Sequence, residues 1–139
     1  MSLIQLIYAS ESRLVEANRH REIDRIVETA QRLNARNAVT GFLLVTSGAF
    51  AQVLEGDDAT VAETYTRIAA DPRHGAIRLL AESPIARRGF ARWSMGLAER
   101  DETTTFIFGL YGVTPEADLP GQDADVILDL AGELARQSR

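Results

Sequence analysis

The chain has 139 residues, enough for one compact domain with its own core and too few for two comfortable ones. Hydrophobic residues make up 45% and charged residues 25%, and the net charge of −5 argues against nucleic-acid or anionic-membrane partners, since both need a basic face. With no cysteine, and with His20 and His74 far apart and lacking ligand spacing, disulfides and thiolate sites are excluded and no metal site is expected.

The N-terminus has neither the basic start nor the long apolar stretch of a signal peptide. No segment approaches the roughly 20 apolar residues that cross a bilayer, so a soluble, cytoplasmic protein is expected. Residues 3–9 read as a first strand in which alternation puts Ile4, Leu6 and Tyr8 on one face. Over 20–36 the spacing turns helical, with Ile23, Ile26, Val27, Ala30 and Leu33 in one stripe and Glu28 and Arg32 spaced to pair opposite it.

Residues 39–45 are apolar on both faces and predict a central strand, which a turn at 46–49 joins to a hairpin partner over 50–55. Asp57 and Asp58 offer a carboxylate cap to a helix over 59–71, with Val61, Tyr65 and Ile68 inward and Pro72 as the stop. Segments 76–83 and 92–98 predict two more strands, joined by a basic stretch, Ala86 to Arg92, that reads as a solvated connection. The order β-α-β-β-α-β-β describes an α+β sheet with both helices on one face, close to a ferredoxin-like arrangement.

Beyond residue 98, Phe106, Ile107 and Leu110 suggest one face of a short helix, and a Pro/Gly-punctuated connection follows from Gly112 to Gly121. Val126, Ile127, Leu130 and Leu134 mark a second amphipathic helix, with Asp123 or Asp125 near its start. Neither helix can stand alone, and the exposed sheet face is the surface they are expected to cover.

Three polar residues fall on apolar faces. Tyr8 shares a strand face with Ile4 and Leu6, Gln52 shares one with Phe50 and Leu54, and Asn34 lies on the stripe of the first helix. A buried amide without partners costs on the order of 1–3 kcal/mol. Taken singly, Asn34 reads as a helix-end cap, Gln52 as an amide bonded to nearby backbone and Tyr8 as a core aromatic. Together they mark a candidate buried ligand site, and periodicity carries the reading no further. Trp93, Met95 and Leu97 alternate on one face of the last strand, as ordinary core residues do. Arg67 and Asp71 are spaced to pair on the second helix, and His74 reads from its position as a surface loop residue.

Five collinear motifs between residue 3 and about residue 98 add what spacing does not. They are the Tyr-x-Ser of Tyr8 to Ser10, the Asn-x(5)-Thr-Gly of Asn34 to Gly41 and the Phe-x-Gln-x-Leu-Glu-Gly of Phe50 to Gly56. Asp71-Pro72-Arg73-His74 comes next, and then Pro84-Ile85 with Arg88-Gly89-Phe90 and Trp93-Ser94-Met95. In this order they resemble the BLUF family of blue-light flavin photoreceptors. Val45, Glu11 and Leu33 depart from the family's usual residues without removing any that its photochemistry requires.

The resemblance implies an isoalloxazine ring held between the two helices with its edge toward the sheet. Tyr8 would be the photochemical electron and proton donor, Gln52 would bridge the tyrosine hydroxyl and the flavin edge, and Asn34 would bond the pyrimidine side. Arg67, Asp71 and His74 would lie near the flavin's carbonyl end or its phosphates, and Trp93, Met95 and Ser10 would relay the signal. FAD is the cofactor by family habit, with FMN or riboflavin as alternatives.

The resemblance further implies a short photosensor, residues 1–98, with a helical extension over 99–139, no catalytic domain of its own, a separate effector protein as partner and a homodimeric state. Two rivals use the same scaffold. A small acyl-phosphate hydrolase would need a glycine-rich anion loop, and residues 8–14 contain no glycine. A ligand-free interaction module is opposed by the intact Tyr8, Gln52 and Asn34. RNA binding is opposed by the acidic charge and by the lack of an exposed aromatic pair on the central strands.

Overall fold

Alternation along three neighbouring strands sorts the apolar residues onto two sheet faces, and each face is covered. The computed structural model describes residues 2–138. In chain order the elements are β1 (Leu3–Ser12), α1 (Arg19–Asn37), β2 (Thr40–Val45), β3 (Ala49–Asp57), α2 (Asp58–Ala69), β4 (His74–Pro84), β5 (Gly96–Glu99), α3 (Thr105–Leu110) and α4 (Ala124–Gln137). Short 3₁₀ turns precede α1 and α4. The sheet order is β4-β1-β3-β2-β5, antiparallel throughout except for the parallel pair β2/β5. This is the ferredoxin-like α+β arrangement, with one added edge strand.

One face carries Ile4, Leu6 and Tyr8 of β1, Leu43 and Val45 of β2, and Phe50 and Leu54 of β3, packed under Ile23 of α1 and Val61 of α2. The other carries Ile7, Ala9, Phe42, Leu44, Ala51 and Val53 against Phe108 of α3 and Ile127, Leu130 and Leu134 of α4. Strand β3 is buried over nearly its whole length because helices cover it on both sides. At Gly41 the β2 backbone passes so close to β3 that a Cβ would sit 2.0 Å from the Val53 carbonyl oxygen, so no side chain fits there.

Several expectations are corrected. The last strand begins at Gly96, not at residue 92, because Phe90 to Trp93 form a turn closed by Trp93 N–H donating to the Phe90 carbonyl (3.0 Å). The segment crosses the sheet edge there. Trp93 packs edge-on to Phe42 (5.6 Å between ring centres) with the α4-side core, whereas Met95 packs with the α1/α2 side. The two residues therefore lie on opposite faces and do not alternate along one strand.

On α3, Phe108 is the buried residue, while Phe106 and Leu110 are 72% and 66% exposed, since six residues hold too few turns to define a face by periodicity. Asp57 occupies the cap position of α2 without a side-chain capping bond. Helix α2 ends at Ala69, so Asp71 lies beyond it and pairs with Arg73 (2.6 Å) in place of Arg67. Among the described residues Glu28 and Arg32 form no ion pair. Arg88, in the stretch read as solvated, donates to the backbone carbonyls of Ala38 and Glu55 and to Thr40 Oγ1.

Because Leu130 is fully buried between α4 and the sheet, Leu130→Ala is expected to destabilise the protein by about 2–5 kcal/mol. Chemical denaturation measures this as a lower midpoint with an unchanged slope.

Candidate functional site

Tyr8 and Gln52 face each other directly across the β1/β3 pair. Tyr8 Oη donates to Gln52 Oε1 at 2.5 Å, and Gln52 Nε2 donates to Met95 Sδ at 3.1 Å. The chemistry of the neighbours fixes this amide orientation. A thioether sulfur only accepts, so the NH₂ must face Met95, which leaves the carbonyl for the phenol. The Tyr8 pKa is pushed far above the ordinary tyrosine value, first by burial and further by Tyr65 and Asp71 nearby. Tyr8 is therefore a neutral hydrogen-bond donor at any physiological pH.

Above this pair lies a cavity of about 260 Å³ between α1 and α2. Ile26, Ala30 and Leu33 line it from α1, Ile68 from α2, and Leu43 and Phe50 from the sheet. Its polar lining includes Tyr8, Asn34, Gln52, Arg67, Asp71 and His74. All six residues that the resemblance implies for a ligand, three of which the sequence pattern also marks, thus border one space. An open groove at Glu22, Ala70 and Pro72 shares Arg67, Asp71 and Arg73 with the cavity and continues from it.

Asn34 is 2% exposed and donates from Nδ2 to the Ser94 carbonyl (2.9 Å); among the described residues its Oδ1 has no partner. An accessible acceptor left open on a residue that lines the cavity fits a ligand that brings its own N–H. Gln52 likewise keeps one amide hydrogen and one carbonyl lone pair beyond its two bonds. Apolar walls with such polar edges suit a flat heteroaromatic ring bearing carbonyls and ring nitrogens, as isoalloxazine does.

His74 is buried, contrary to its reading as a loop residue. It starts β4, with Nε2 at 2.7 Å from the Ile68 carbonyl and Nδ1 at 2.7 Å from Ser10 Oγ. A carbonyl accepts only, so the proton sits on Nε2 and Ser10 donates to Nδ1. The β1/β4 register shifts beside it, between Ala9 and Glu11, where Ala76 adopts a left-handed backbone (φ 49°).

Met95 touches the site through Gln52, and Ser10 through His74; Trp93 does not line the cavity. Sequence reasoning missed Gln31, whose Nε2 donates to the Met95 carbonyl (3.1 Å), and Arg73, which clamps Asp71 at the cavity mouth. It also passed over Glu55, a fully buried carboxylate. A signal for Glu55 was present, because a charge in a strand buried on both faces must be paired.

A buried tyrosine–glutamine pair under a slot between the two helices of a ferredoxin-like sheet is the layout of a small ligand-binding domain with room for a flat aromatic ring. Residues 3–96 match the family described as sensors of blue light using FAD, BLUF, and the chain belongs to that family. BLUF domains bind a flavin, FAD, as chromophore.

The photoactivated adenylate cyclase subunit beta of Euglena gracilis is 35% identical over 86 residues, which cover 61% of this chain and 10% of that protein. The blue light- and temperature-regulated antirepressor BluF of Escherichia coli (strain K12) is 36% identical over 111 residues, 76% of this chain and 27% of that one. The chain thus spans between about a tenth and a quarter of the length of these relatives. Among solved structures, the dark state of the BLUF protein BlrB superposes with a TM-score of 0.79 at 28% identity, covering 98% of this chain and 97% of that one. The ground state of BlsA gives 0.80 at 26% identity, covering 94% and 87%.

Hydrogen bonds from Arg73 hold the Asp71 carboxyl below the ordinary carboxylate range. A depressed folded-state pKa contributes stability that is present above the ordinary range and lost as pH falls through the lowered value. Stability measured between about pH 6 and pH 3 should therefore decline at the acid end, and Asp71→Asn should flatten part of that decline.

Proposed function

We propose that this chain is a blue-light photoreceptor in which Tyr8, Gln52 and Met95 form the switch and Asn34, Arg67, Asp71 and His74 hold the flavin. The observation that carries this reading is the hydrogen-bonded line Tyr8–Gln52–Met95, whose first two members line the cavity. When bound, the flavin supplies light absorption and, once excited, an oxidant strong enough to take an electron from a phenol.

With flavin held in the cavity, Tyr8 would be the donor of one electron and its hydroxyl proton to the excited ring, with Gln52 Oε1 as the proton's first acceptor, and both would return to Tyr8, so the cycle would leave no net oxidation. Gln52 ends with its amide reversed by rotation or tautomerisation, without net charge. Reversal by rotation brings oxygen where NH₂ faced Met95, and the sulfur offers no donor to that oxygen. Met95 then loses its bond and shifts, carrying β5 with it. The lit state is a population shift between two bonding patterns of one buried amide.

Asn34 would accept from the pyrimidine edge at its open Oδ1. Arg67, which forms no ion pair among the described residues, lines both the cavity and the groove and would meet the flavin tail there. The same lining admits FMN or riboflavin, because it mainly engages the ring system.

The partner is a separate effector protein, and the working state is a cytoplasmic homodimer. Exposed Phe106 and Leu110 on α3, and Leu79 on edge strand β4, offer apolar contact surface for that purpose. No described helix is long and apolar enough to cross a membrane.

The test is visible absorption of the purified protein in the dark and after a blue flash, beside Gln52→Leu. A flavin band that moves slightly to longer wavelength and recovers, with the shift abolished in the variant, is expected. A protein that refuses added flavin overturns the reading in favour of a ligand-free module on the same fold.

A further inference from the structure

Glu55 stands on β3 three residues after Gln52, so the two side chains leave the same strand on opposite faces. Fully buried, its carboxylate accepts four bonds. Oε2 takes Gly89 N–H (2.8 Å) and Gln5 Nε2 (3.2 Å), and Oε1 takes Phe90 N–H (2.9 Å) and Thr40 Oγ1 (3.1 Å). Arg88 ties the same stretch to the backbone of Ala38 and Glu55.

A few residues on, the chain has rounded the sheet edge and Met95 meets Gln52. One strand therefore grips both ends of the 89–95 segment, at Glu55 on the α4 side and at Gln52 on the cavity side. The middle is pinned as well, by Gly41 N–H donating to the Trp93 carbonyl (2.9 Å).

We propose that Glu55 is a positioning residue for light signalling, a latch that fixes residues 89–90 so that displacement of Met95 passes forward into β5 and α4. This rests on the photosensor reading above. With the latch closed, the segment before Met95 cannot take up the movement, and β5, whose Ala98 packs in the core under α4, receives it. With the latch open, residues 86–94 absorb the shift locally. Glu55→Gln opens it at nearly constant volume: whichever way the new amide turns, its NH₂ replaces one acceptor oxygen and meets two donors.

The test is amide hydrogen exchange of α4 in the flavin-loaded full chain, dark and under continuous blue light, with absorption recorded on the same samples. In the unaltered protein the band shift is accompanied by a light-dependent change in α4 exchange. In Glu55→Gln the band shift and the dark exchange of α4 stay as they were, and the light-dependent change is lost. A purely structural role would raise α4 exchange equally in dark and light, and that result overturns the latch, as does an α4 response equal to that of the unaltered protein. If Glu55→Gln does not fold, Glu55→Asp, which keeps the charge and draws the carboxylate back by one methylene from the Gly89 and Phe90 N–H groups, decides: a reduced α4 response supports the latch and an unchanged one overturns it. An unaltered protein without any band shift overturns the photosensor reading and the latch with it.

Discussion

A buried amide held between a phenol that donates and a thioether that only accepts has one satisfied orientation, and the rest of the molecule is arranged around it. Gln52 reaches Tyr8 because β1 and β3 are paired in register, and it reaches Met95 because the chain turns at Phe90–Trp93 before entering β5. Burial keeps Tyr8 protonated and excludes water that would bond either orientation equally well. The contrast between the two amide orientations thus depends on the core on both faces of the sheet.

That dependence explains why a small sensor needs its second layer. Strand β3 is dry on the cavity side because of α1 and α2, and on the other because of α4 with Phe108 and Leu119. An open lower face would leave Ala51, Val53 and Phe42 in water and allow the central strands to flex. Closed, the sheet is stiff, and movement at Met95 has few directions to take. The α4 face is half the core, and Ala98 of β5 packs within it.

Much of this was legible in the sequence. Period-two and helical patterns located β1, α1, β2, β3, α2 and α4 within a few residues, since each is long enough to repeat its pattern. The inward placement of Tyr8, Asn34 and Gln52 was visible from alternation and helical phase alone. What failed depends on contacts distant in sequence. Trp93 and Met95 mimic a strand pattern while rounding the sheet edge, where period two means alternate faces of a sheet edge and not of a strand. His74 is buried because Ser10 and Ile68 converge on it, which no local window shows. Asp71 prefers Arg73 over Arg67 because the helix ends before Pro72 removes any helical spacing. Glu55 was readable as a misplaced charge, but its partners at 89–90 belong to a segment whose path had to be seen.

In the proposed photocycle the light signal is a reversal of one glutamine amide. Light-minus-dark infrared difference spectra of the flavin-loaded protein, with and without isotopically labelled glutamine, test it most directly. A reversing amide at Gln52 gives a side-chain amide band that moves with the label and is missing in Gln52→Leu. A light-induced flavin shift with no label-sensitive band would contradict it, and would place the switch on a group other than Gln52.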